Sequence, residues 1–354
     1  MMAPMIRVEH LVKHFAIAGS AKPLQAVSDV SFSIDRGQTL GIVGESGSGK
    51  TTIGRCVLRL IEPTSGRILI DGKDLLGLSQ ESLRVIRPQM QLVFQEPFDS
   101  LDPQMTVRQI VAEPLRLHAK LSSVDRRDRV LDLLETVGLP RGVADRHPHQ
   151  MAAGQQQRVG IARAIATEPR FVVLDEPVSS LDPTARAEII DLLIDLQERQ
   201  GITYLFISHD LTTVRYLCNA VAVMYLGKIV EMSHTEELFE RPVHPYTRAL
   251  LSAVPEPDPR IRRAKFVLKG EIPSPINLPT GCHLHSRCPA AEELCRATVP
   301  ELEEIRKDHW VSCLRARELG FGESLGSSSP HGATPPPDKQ SDDLWLSEVS
   351  SPKS

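Results

Sequence analysis

A glycine-rich octapeptide at residues 44–51, Gly-Glu-Ser-Gly-Ser-Gly-Lys-Thr, constrains the fold more than any other feature of the chain. It follows the apolar run 39–43 and precedes a helical pattern at 52–60. A strand, glycine-rich loop and helix in this order predict a phosphate cradle, because successive backbone N–H groups can point at phosphate oxygens at a helix N-terminus. An ordinary glycine-rich turn is the alternative, which the flanking strand and helix disfavour.

The side chains of this loop have distinct predicted roles. The Lys50 ammonium would attract the β- and γ-phosphates, and the Thr51 hydroxyl would ligate Mg²⁺. The predicted nucleotide-contacting residues of this segment are Gly44, Glu45, Ser46, Gly47, Ser48, Gly49, Lys50, Thr51 and Thr52.

Charge and hydropathy disfavour two classes of protein. The 354 residues carry 41 Lys plus Arg against 45 Asp plus Glu, a net charge of −4, so there is no global basic field for a nucleic-acid partner. No apolar run approaches the roughly 18–20 residues of a membrane span, and the N-terminus lacks the layout of a signal peptide. We expect a cytoplasmic chain of about two domains, able to dock onto a membrane protein.

Hydrophobic periodicity predicts an α/β fold. Apolar and polar residues alternate over 6–35 and 66–72, which indicates an antiparallel sheet with one solvent-exposed face. Helical spacing of apolar residues over 106–137 and 155–168 indicates a helical insertion, and we place this helical subdomain at about 96–165. The apolar runs 171–174, 203–207 and 220–224, the first two separated by a helical pattern at 184–199, are typical of a parallel sheet covered on both faces.

The chain changes character after residue 240. Prolines become frequent, and four of the six cysteines follow. We predict a nucleotide-binding domain over 1–240, a small separate C-terminal domain over 241–317 and a disordered Ser/Pro/Gly-rich tail over 318–354.

Two carboxylates, Asp175 and Glu176, follow the apolar run 171–174. Parallel α/β sheets bind their ligands at the carboxyl ends of strands. Asp175 could hold Mg²⁺ through water, and Glu176 could polarise the attacking water of phosphoryl transfer. Capping of the turn before Pro177 is the alternative, which the upstream phosphate loop disfavours.

Five further features follow in a fixed order around these elements. They are Phe15, Gln95 in Leu92-Val-Phe-Gln-Glu-Pro-Phe, residues 151–158 (Met-Ala-Ala-Gly-Gln-Gln-Gln-Arg), residues 180–182 (Ser-Leu-Asp) and His209 in Phe206-Ile-Ser-His-Asp. With the phosphate loop and Asp175–Glu176, they resemble the ATP-binding subunits of ABC transporters, and among these the subunits of dipeptide and oligopeptide importers. The resemblance covers residues 6–316. It implies a P-loop ABC ATPase with a RecA-like parallel-sheet core, an antiparallel β subdomain, a helical subdomain and a small Cys-rich C-terminal domain.

The resemblance also implies a role for each feature. Phe15 would stack on adenine, although an aromatic residue after an edge strand is often part of the core. Gln95 would contact Mg²⁺ and the attacking water beside the transmembrane partner. The loop ending at Asp182 would cross a dimer interface. His209 would sense the γ-phosphate, the alternative being a histidine satisfied at a strand end.

One motif departs from the pattern of the family. The usual Leu-Ser-Gly-Gly-Gln is replaced by Met-Ala-Ala-Gly-Gln at 151–155, so Ala152 lacks the hydroxyl that would meet the γ-phosphate bound by the partner subunit. Losing a hydrogen bond to a charged group costs about 1.5–3 kcal/mol, roughly 10- to 100-fold in affinity or rate. We therefore predict an asymmetric dimer with one weakened ATP site, to which this chain contributes Ala152, Ala153, Gly154 and Gln155.

The resulting interpretation is an ATPase subunit of a prokaryotic importer. It implies ATP and Mg²⁺ as ligands, a position on the cytoplasmic face of the inner membrane, and partners comprising two permease subunits, a second and different ATP-binding subunit and, indirectly, an extracytoplasmic peptide-binding protein. A largely non-catalytic nucleotide-binding subunit is one rival. A soluble ABC-type ATPase acting on DNA or ribosomes is another, disfavoured by the acidic balance and the single cassette.

Four cysteines form the pattern Cys282-x5-Cys288-x6-Cys295-x17-Cys313. Disulfides are rare in the cytosol, so metal ligation is the first hypothesis. The wide spacings lack the short knuckles typical of zinc, and the resemblance implies a [4Fe–4S] cluster; zinc and free thiols remain open. Cys56 and Cys218 lie in apolar patterns and are predicted to be buried.

Overall fold

The computed structural model describes residues 3–95, 100–254 and 266–319. In chain order, the strands are β1 (Ile6–Phe15), β2 (Leu24–Ile34), β3 (Thr39–Val43), β4 (Ser65–Ile70), β5 (Lys73–Asp74), β6 (Met90–Val93), β7 (Phe171–Asp175), β8 (Thr203–Ser208), β9 (Ala220–Tyr225), β10 (Lys228–His234), β11 (Glu303–Arg306) and β12 (His309–Val311). The helices are α1 (Lys50–Val57), α2 (Gln80–Ile86), α3 (Val107–His118), α4 (Ser123–Thr136), α5 (Ala153–Ile165), α6 (Pro183–Gln200), α7 (Leu211–Leu217), α8 (Thr235–Glu240), α9 (Pro245–Ser252), α10 (Glu293–Ala297) and α11 (Ala316–Leu319).

The larger sheet has the order β11-β12-β10-β9-β3-β8-β7-β6. Its five strands from β9 to β6 are parallel, which confirms the parallel core predicted from the apolar runs. β10 turns back antiparallel on β9, and β12 and β11 continue antiparallel at that edge. The carboxyl ends of β3, β7 and β8 lie side by side, which brings the segments that follow them together.

Successive residues of the central strands point into two different cores. Ile42, Val173 and Leu205 belong to the core shared with α1 and the smaller sheet. Val43 and Leu174 belong to the core shared with α6, α7 and the helical region. A strand buried on both faces needs apolar residues at every position, which explains the continuous runs in the sequence.

The smaller sheet is antiparallel, with the order β2-β1-β4-β5. It confirms the alternating pattern predicted for 6–35 and 66–72. Its buried face includes Val8, Val27 and Ile68. Cys56 and Cys218 are buried in the two cores, as predicted.

Helices α3 and α4 follow the predicted helical stretch, which is interrupted between His118 and Ser123. A capping box begins α3: Gln109 N donates to Thr106 Oγ1 at 3.3 Å and Thr106 N donates to Gln109 Oε1 at 2.7 Å. Val137 is the C-cap of α4, and Gly138 follows it in the left-handed region (φ 74°), a conformation that glycine adopts readily after a helix end. Of the predicted subdomain 96–165, residues 96–99 lie outside the described residues.

The described residues after position 240 do not form a sheet of their own. β12 pairs with β10 through Glu231↔Val311 and Met232↔Trp310, so this region extends the edge of the core sheet. β10 was not predicted as a strand, so its pairing with β12 was not predicted either. The domain boundary at 240 stays a prediction. The tail predicted for 318–354 was wrong at its start, because residues 318 and 319 end helix α11; the rest of it lies outside the described residues. No helix of the described ranges is both long and apolar enough to cross a bilayer.

Candidate ATP site

The phosphate loop runs from the end of β3 to the start of α1, as predicted. Gly44 and Gly49 adopt φ values of 154° and 105°. A Cβ atom at Gly44 would collide with the carbonyl oxygen of Met224, and one at Gly49 with that of Ala26. Both positions therefore require glycine for their backbone conformation and for the close approach of neighbouring chain.

Lys50 is the first residue of α1 and is only 5% exposed. Its Nζ atom donates to the carbonyl oxygens of Gly44 at 2.8 Å and Glu45 at 2.9 Å, so the ammonium lies inside the loop. Burial lowers the pKa of Lys50, opposed by the nearby carboxylates of Glu176, Asp175 and Glu45. An ammonium held in the loop in this way is a preformed partner for phosphate oxygens.

The Thr51 hydroxyl donates to Asp175 Oδ1 at 2.9 Å, joining α1 to the end of β7. Asp175 is buried, and this burial raises its pKa, while the Thr51 hydrogen bond opposes the rise. A hydroxyl and a carboxylate this close fit a hard cation such as Mg²⁺, which prefers oxygen ligands and keeps waters and substrate phosphates in its shell. Thr51 and Asp175 are thus the side chains that could hold Mg²⁺.

Glu176 contacts two other predicted site residues, Gln95 and His209. Its Oε2 atom accepts from Gln95 Nε2 at 3.1 Å and lies 3.1 Å from His209 Nδ1. Its backbone is left-handed (φ 46°), and its N–H donates to Ile207 O at 2.9 Å. A non-glycine residue in this conformation is uncommon and is found at sites where surrounding structure holds the strain.

Asp182 and Asp210 both act as helix caps. Asp182 Oδ1 accepts from the N–H groups of Thr184 and Ala185 at 3.0 Å and begins α6. Asp210 accepts from the Thr212 N–H at 3.0 Å and begins α7, directly after His209. The cap of α7 therefore fixes the backbone next to His209. The predicted position of Asp182 at a dimer interface stays a prediction.

The altered motif lies at the start of α5. Ala152 is the N-cap residue and provides no side-chain cap; its N–H donates to Gln155 Oε1 at 3.3 Å. Ala152 and Ala153 are exposed, while Gly154 is half-buried, and a Cβ there would approach Ala185 Cβ at 3.3 Å. The exposed methyl groups leave this helix N-terminus open towards solvent.

Phe15 ends β1 and is half-buried. The Lys13 ammonium lies 4.9 Å from the centre of its ring. Phe15 belongs to neither large core cluster, and part of its side chain is exposed to solvent. Its contact with adenine stays a prediction.

Sequence reasoning missed two residues of the C-terminal region that contact the phosphate loop. The Glu45 N–H donates to the Tyr246 hydroxyl at 2.8 Å, and Arg287 Nη1 donates to Glu45 Oε2 at 3.1 Å. Tyr246 lies in the segment His-Pro-Tyr-Thr-Arg at 244–248, for which the sequence offered no chemistry. A contact over such a sequence separation leaves no local pattern that could have revealed it.

The four C-terminal cysteines line one small cavity. Burial raises the pKa of Cys282, Cys288 and Cys313, that of Cys313 to about 12. Their thiols are free, and no three His, Cys, Asp or Glu side chains of the described ranges are arranged to hold a metal ion. The four thiols therefore line one cavity, but the described side chains do not have the geometry of a metal site.

Comparison with known proteins shows the family to which the chain belongs. A family profile described as "ABC transporter" matches residues 27–179, and one described as "Oligopeptide/dipeptide transporter, C-terminal region" matches residues 230–295. A putative peptide import ATP-binding protein of Brucella ovis is 50% identical over 312 residues, covering 88% of this chain and 98% of that protein. The oligopeptide transport ATP-binding protein AppF of Bacillus subtilis is 49% identical over 293 residues, covering 82% of this chain and 89% of that protein.

A similar fold is seen in a dimeric, post-hydrolysis structure of the ATP-binding cassette MJ0796 bound to ADP and Pi. The two structures superpose with a TM-score of 0.60 at 30% sequence identity, and the match covers 65% of this chain and 99% of the MJ0796 chain. Fold and site together define an ABC-type ATPase cassette. The chain belongs to the family of ABC transporter ATP-binding subunits, and to its oligopeptide/dipeptide branch.

Proposed function

We propose that this chain powers the uptake of di- or oligopeptides through a membrane permease. Two observations support the proposal: its relatives are named peptide import and oligopeptide transport ATP-binding proteins, and its C-terminal region matches the oligopeptide/dipeptide profile. The proposal places the chain on the cytoplasmic face of the inner membrane, bound to two permease subunits and indirectly to an extracytoplasmic peptide-binding protein. Peptide-stimulated ATP hydrolysis by the purified complex in liposomes tests it.

The Gln95–Glu176–His209 cluster carries the proposed hydrolysis. The Glu176 carboxylate would orient the attacking water and take up its proton, because Gln95 and His209 hold one of its oxygens and leave the other for that water. Gln95 would hold the water from the other side, and His209 would hydrogen-bond the γ-phosphate as it leaves. Lys50 and the N–H groups of the loop would stabilise the charge on the phosphates.

Bound Mg²⁺ would neutralise phosphate charge as the terminal phosphate is transferred. Thr51 would supply a hydroxyl oxygen to it, and Asp175 a carboxylate through water. Their 2.9 Å hydrogen bond supports the assignment, because both oxygens already converge on one point. The side-chain amide oxygen of Gln95 would be a further Mg²⁺ ligand, on the side of the ion that faces Glu176.

A groove next to Gln95 supports the permease contact. Its volume is about 1140 Å³, and it lies between the core sheet and the helical region. Three of its lining side chains are large, apolar and exposed: Leu60 (50%), Phe94 (41%) and Leu117 (71%). Arg84 and Glu113 also line the groove, and exposed apolar side chains among charged ones are typical of a surface covered by another protein. The groove would receive a cytoplasmic segment of the permease.

An asymmetric ATPase dimer is the proposed assembly. The missing hydroxyl at Ala152 would weaken the ATP site completed by this chain's α5, while this chain's own phosphate loop and Glu176 would serve the competent site. A partner ATPase with an intact motif, encoded as a different chain, would complete that competent site. Co-purification with the permease followed by mass spectrometry would show whether one or two kinds of ATPase subunit are present.

The four C-terminal thiols are proposed as ligands of a structural [4Fe–4S] cluster. Their convergence on one cavity supports this, and the absence of a ready ligand geometry in the described ranges speaks against it. Zinc and free thiols are the other outcomes. Iron, zinc and acid-labile sulfide, measured on protein purified without oxygen, distinguish the three.

A further inference from the structure

Two residues of the region after position 240, Tyr246 and Arg287, bond to the phosphate loop. Arg287 donates to both carboxylate oxygens of Glu45, from Nη1 to Oε2 at 3.1 Å and from Nη2 to Oε1 at 3.4 Å. On the backbone of the same residue, the Glu45 N–H donates to the Tyr246 hydroxyl at 2.8 Å. One residue of the nucleotide loop is therefore held at its side chain and its main chain by residues more than 200 positions away.

This contact is sheltered from solvent. The Arg287 side chain is 10% exposed and that of Glu45 30%. The guanidinium lies 5.8 Å from the centre of the Tyr225 ring, and the rings of Tyr225 and Tyr246 are 4.7 Å apart. A bidentate pair in such surroundings is stronger and better oriented than a surface salt bridge, because water competes less for its hydrogen bonds.

A tight loop between two cysteines holds Arg287 in place. The Arg287 N–H donates to Leu284 O at 2.8 Å, and the Arg287 carbonyl oxygen accepts from Lys269 N at 3.0 Å. Cys288 N donates to the same Leu284 oxygen at 2.9 Å. The cysteine-containing segment thus fixes the main chain of Arg287, and its guanidinium reaches Glu45 and Tyr225 of the nucleotide-binding core.

The Glu45 carboxylate is a potential obstacle to a triphosphate. The backbone carbonyl oxygen of Glu45 accepts from Lys50 Nζ at 2.9 Å, so this residue lies beside the ammonium that would meet the phosphates. Its carboxylate is one of three that oppose the lowering of the Lys50 pKa by burial. An unpaired carboxylate there would repel the phosphates and compete with them for the lysine. Arg287 supplies the opposite charge, and the Tyr246 hydroxyl fixes the backbone at the start of the loop.

We propose that Arg287 is a positioning residue for the nucleotide, neutralising Glu45 and, with Tyr246, bracing the phosphate loop from the C-terminal region. The inference rests on the proposed function only in that the phosphates of ATP bind at Lys50. It gives the C-terminal region a direct part in nucleotide affinity.

The test is the affinity of the full-length protein for Mg-ATP, measured with a fluorescent ATP analogue, and the KM and kcat of the complex with its permease. Arg287→Met is expected to raise Kd and KM about tenfold, the effect of breaking one hydrogen-bonded charge pair, with kcat changed less than about twofold. Adding Glu45→Gln to Arg287→Met should recover most of the affinity, because the uncompensated charge is then gone. A purely structural role for Arg287 would give no such recovery.

Arg315→Met is the matched control. Arg315 also lies beside the cysteines, and bonds Ala290 O, Glu292 and Glu318 without contacting the phosphate loop. It should leave Kd within about twofold of the wild-type value. Tyr246→Phe keeps the ring and removes the acceptor of the Glu45 N–H, so it tests the brace if Arg287→Met does not fold; a Kd about threefold higher is expected.

Unchanged Kd in Arg287→Met and Tyr246→Phe would overturn the inference, as would a double variant that binds ATP as weakly as Arg287→Met alone. Failure of the proposed function has a different signature. In that case the wild-type protein would bind ATP no better than Lys50→Ala, whatever residue stands at 287.

Discussion

His209 Nδ1 lies 3.1 Å from Glu176 Oε2, and the same oxygen accepts from Gln95 Nε2 at 3.1 Å. The strand ends after β6, β7 and β8 are thereby joined at a single carboxylate oxygen. Among the described residues, Gln95 and His209 both contact Oε2, so we expect the second carboxylate oxygen, Oε1, to face the attacking water. This arrangement separates two tasks: holding the carboxylate in place and activating water.

Glu176→Gln should lower ATP turnover at least about 100-fold, because an amide cannot take a proton from water. Binding of Mg-ATP should stay within a few-fold of wild type, since Lys50, Thr51 and the loop are untouched. Single-turnover hydrolysis and equilibrium binding, measured on the same preparation, check both statements. Turnover near the wild-type rate would remove Glu176 from the reaction.

His209→Ala should lower turnover about 10- to 100-fold, the effect of losing one hydrogen bond to a charged group. His209→Gln can still donate to the γ-phosphate and should lose less. Steady-state rates of the permease complex distinguish the two variants. Equal rates for alanine and glutamine would contradict a hydrogen-bonding role.

Thr51→Val removes the hydroxyl that contacts Asp175 and keeps the shape of the side chain. The Mg²⁺ concentration for half-maximal turnover should rise about tenfold, because one oxygen ligand is lost. Thr51→Ser retains the hydroxyl and should behave like the wild type. A Mg²⁺ titration at saturating ATP measures the shift; an unshifted Thr51→Val curve would place the metal elsewhere.

Ala152→Ser with Ala153→Gly should raise the turnover of the assembled complex roughly 10-fold at the weakened site. Ala152→Ser alone would also cap α5, which has no side-chain cap now, and so stabilise the isolated chain by about 1 kcal/mol. Stability is therefore measured on this single variant, because Ala153→Gly would offset the gain. The two effects are separable, because only turnover depends on the partner subunit. Greater stability without faster turnover would leave the capping argument standing and contradict the asymmetric-site argument.

His244 predicts a loss of stability in acid. Burial lowers the pKa of this histidine to about 4, although the nearby Glu231 opposes the shift. In the unfolded chain the pKa of this histidine is about 6.5. Between that pH and about pH 4 the unfolded chain therefore binds more protons than the folded protein. This contribution to stability is complete above about pH 6.5 and falls by about 2 kcal/mol by about pH 5.

Urea unfolding at about pH 7 and about pH 5 measures this loss. His244→Asn keeps an acceptor for the Tyr246 N–H, which His244 Nδ1 accepts at 3.2 Å, but does not titrate. Its stability should fall less between the two pH values than that of the wild type. An equal fall in both proteins would assign the acid sensitivity to other groups.

Local signals were sufficient for the parts of the site that each follow one strand. The phosphate loop follows β3, Asp175 and Glu176 lie at the end of β7, and His209 follows β8. These short motifs meet because parallel strands end at the same edge of the sheet. The pairing of β12 with β10 and the contact of Arg287 with Glu45 could not be predicted in this way. Both join distant segments, and their energetics depend on burial and charge pairing that exist only after folding.

Uptake of a labelled peptide into liposomes containing the complete transporter, with ATP at the face that carries this subunit, tests the central claim most directly. The comparison is between wild type and Glu176→Gln introduced in this chain alone, with the partner subunits unchanged. We predict that uptake and ATP hydrolysis both fall at least about 100-fold in the variant. Undiminished uptake would show that this chain binds nucleotide without powering transport.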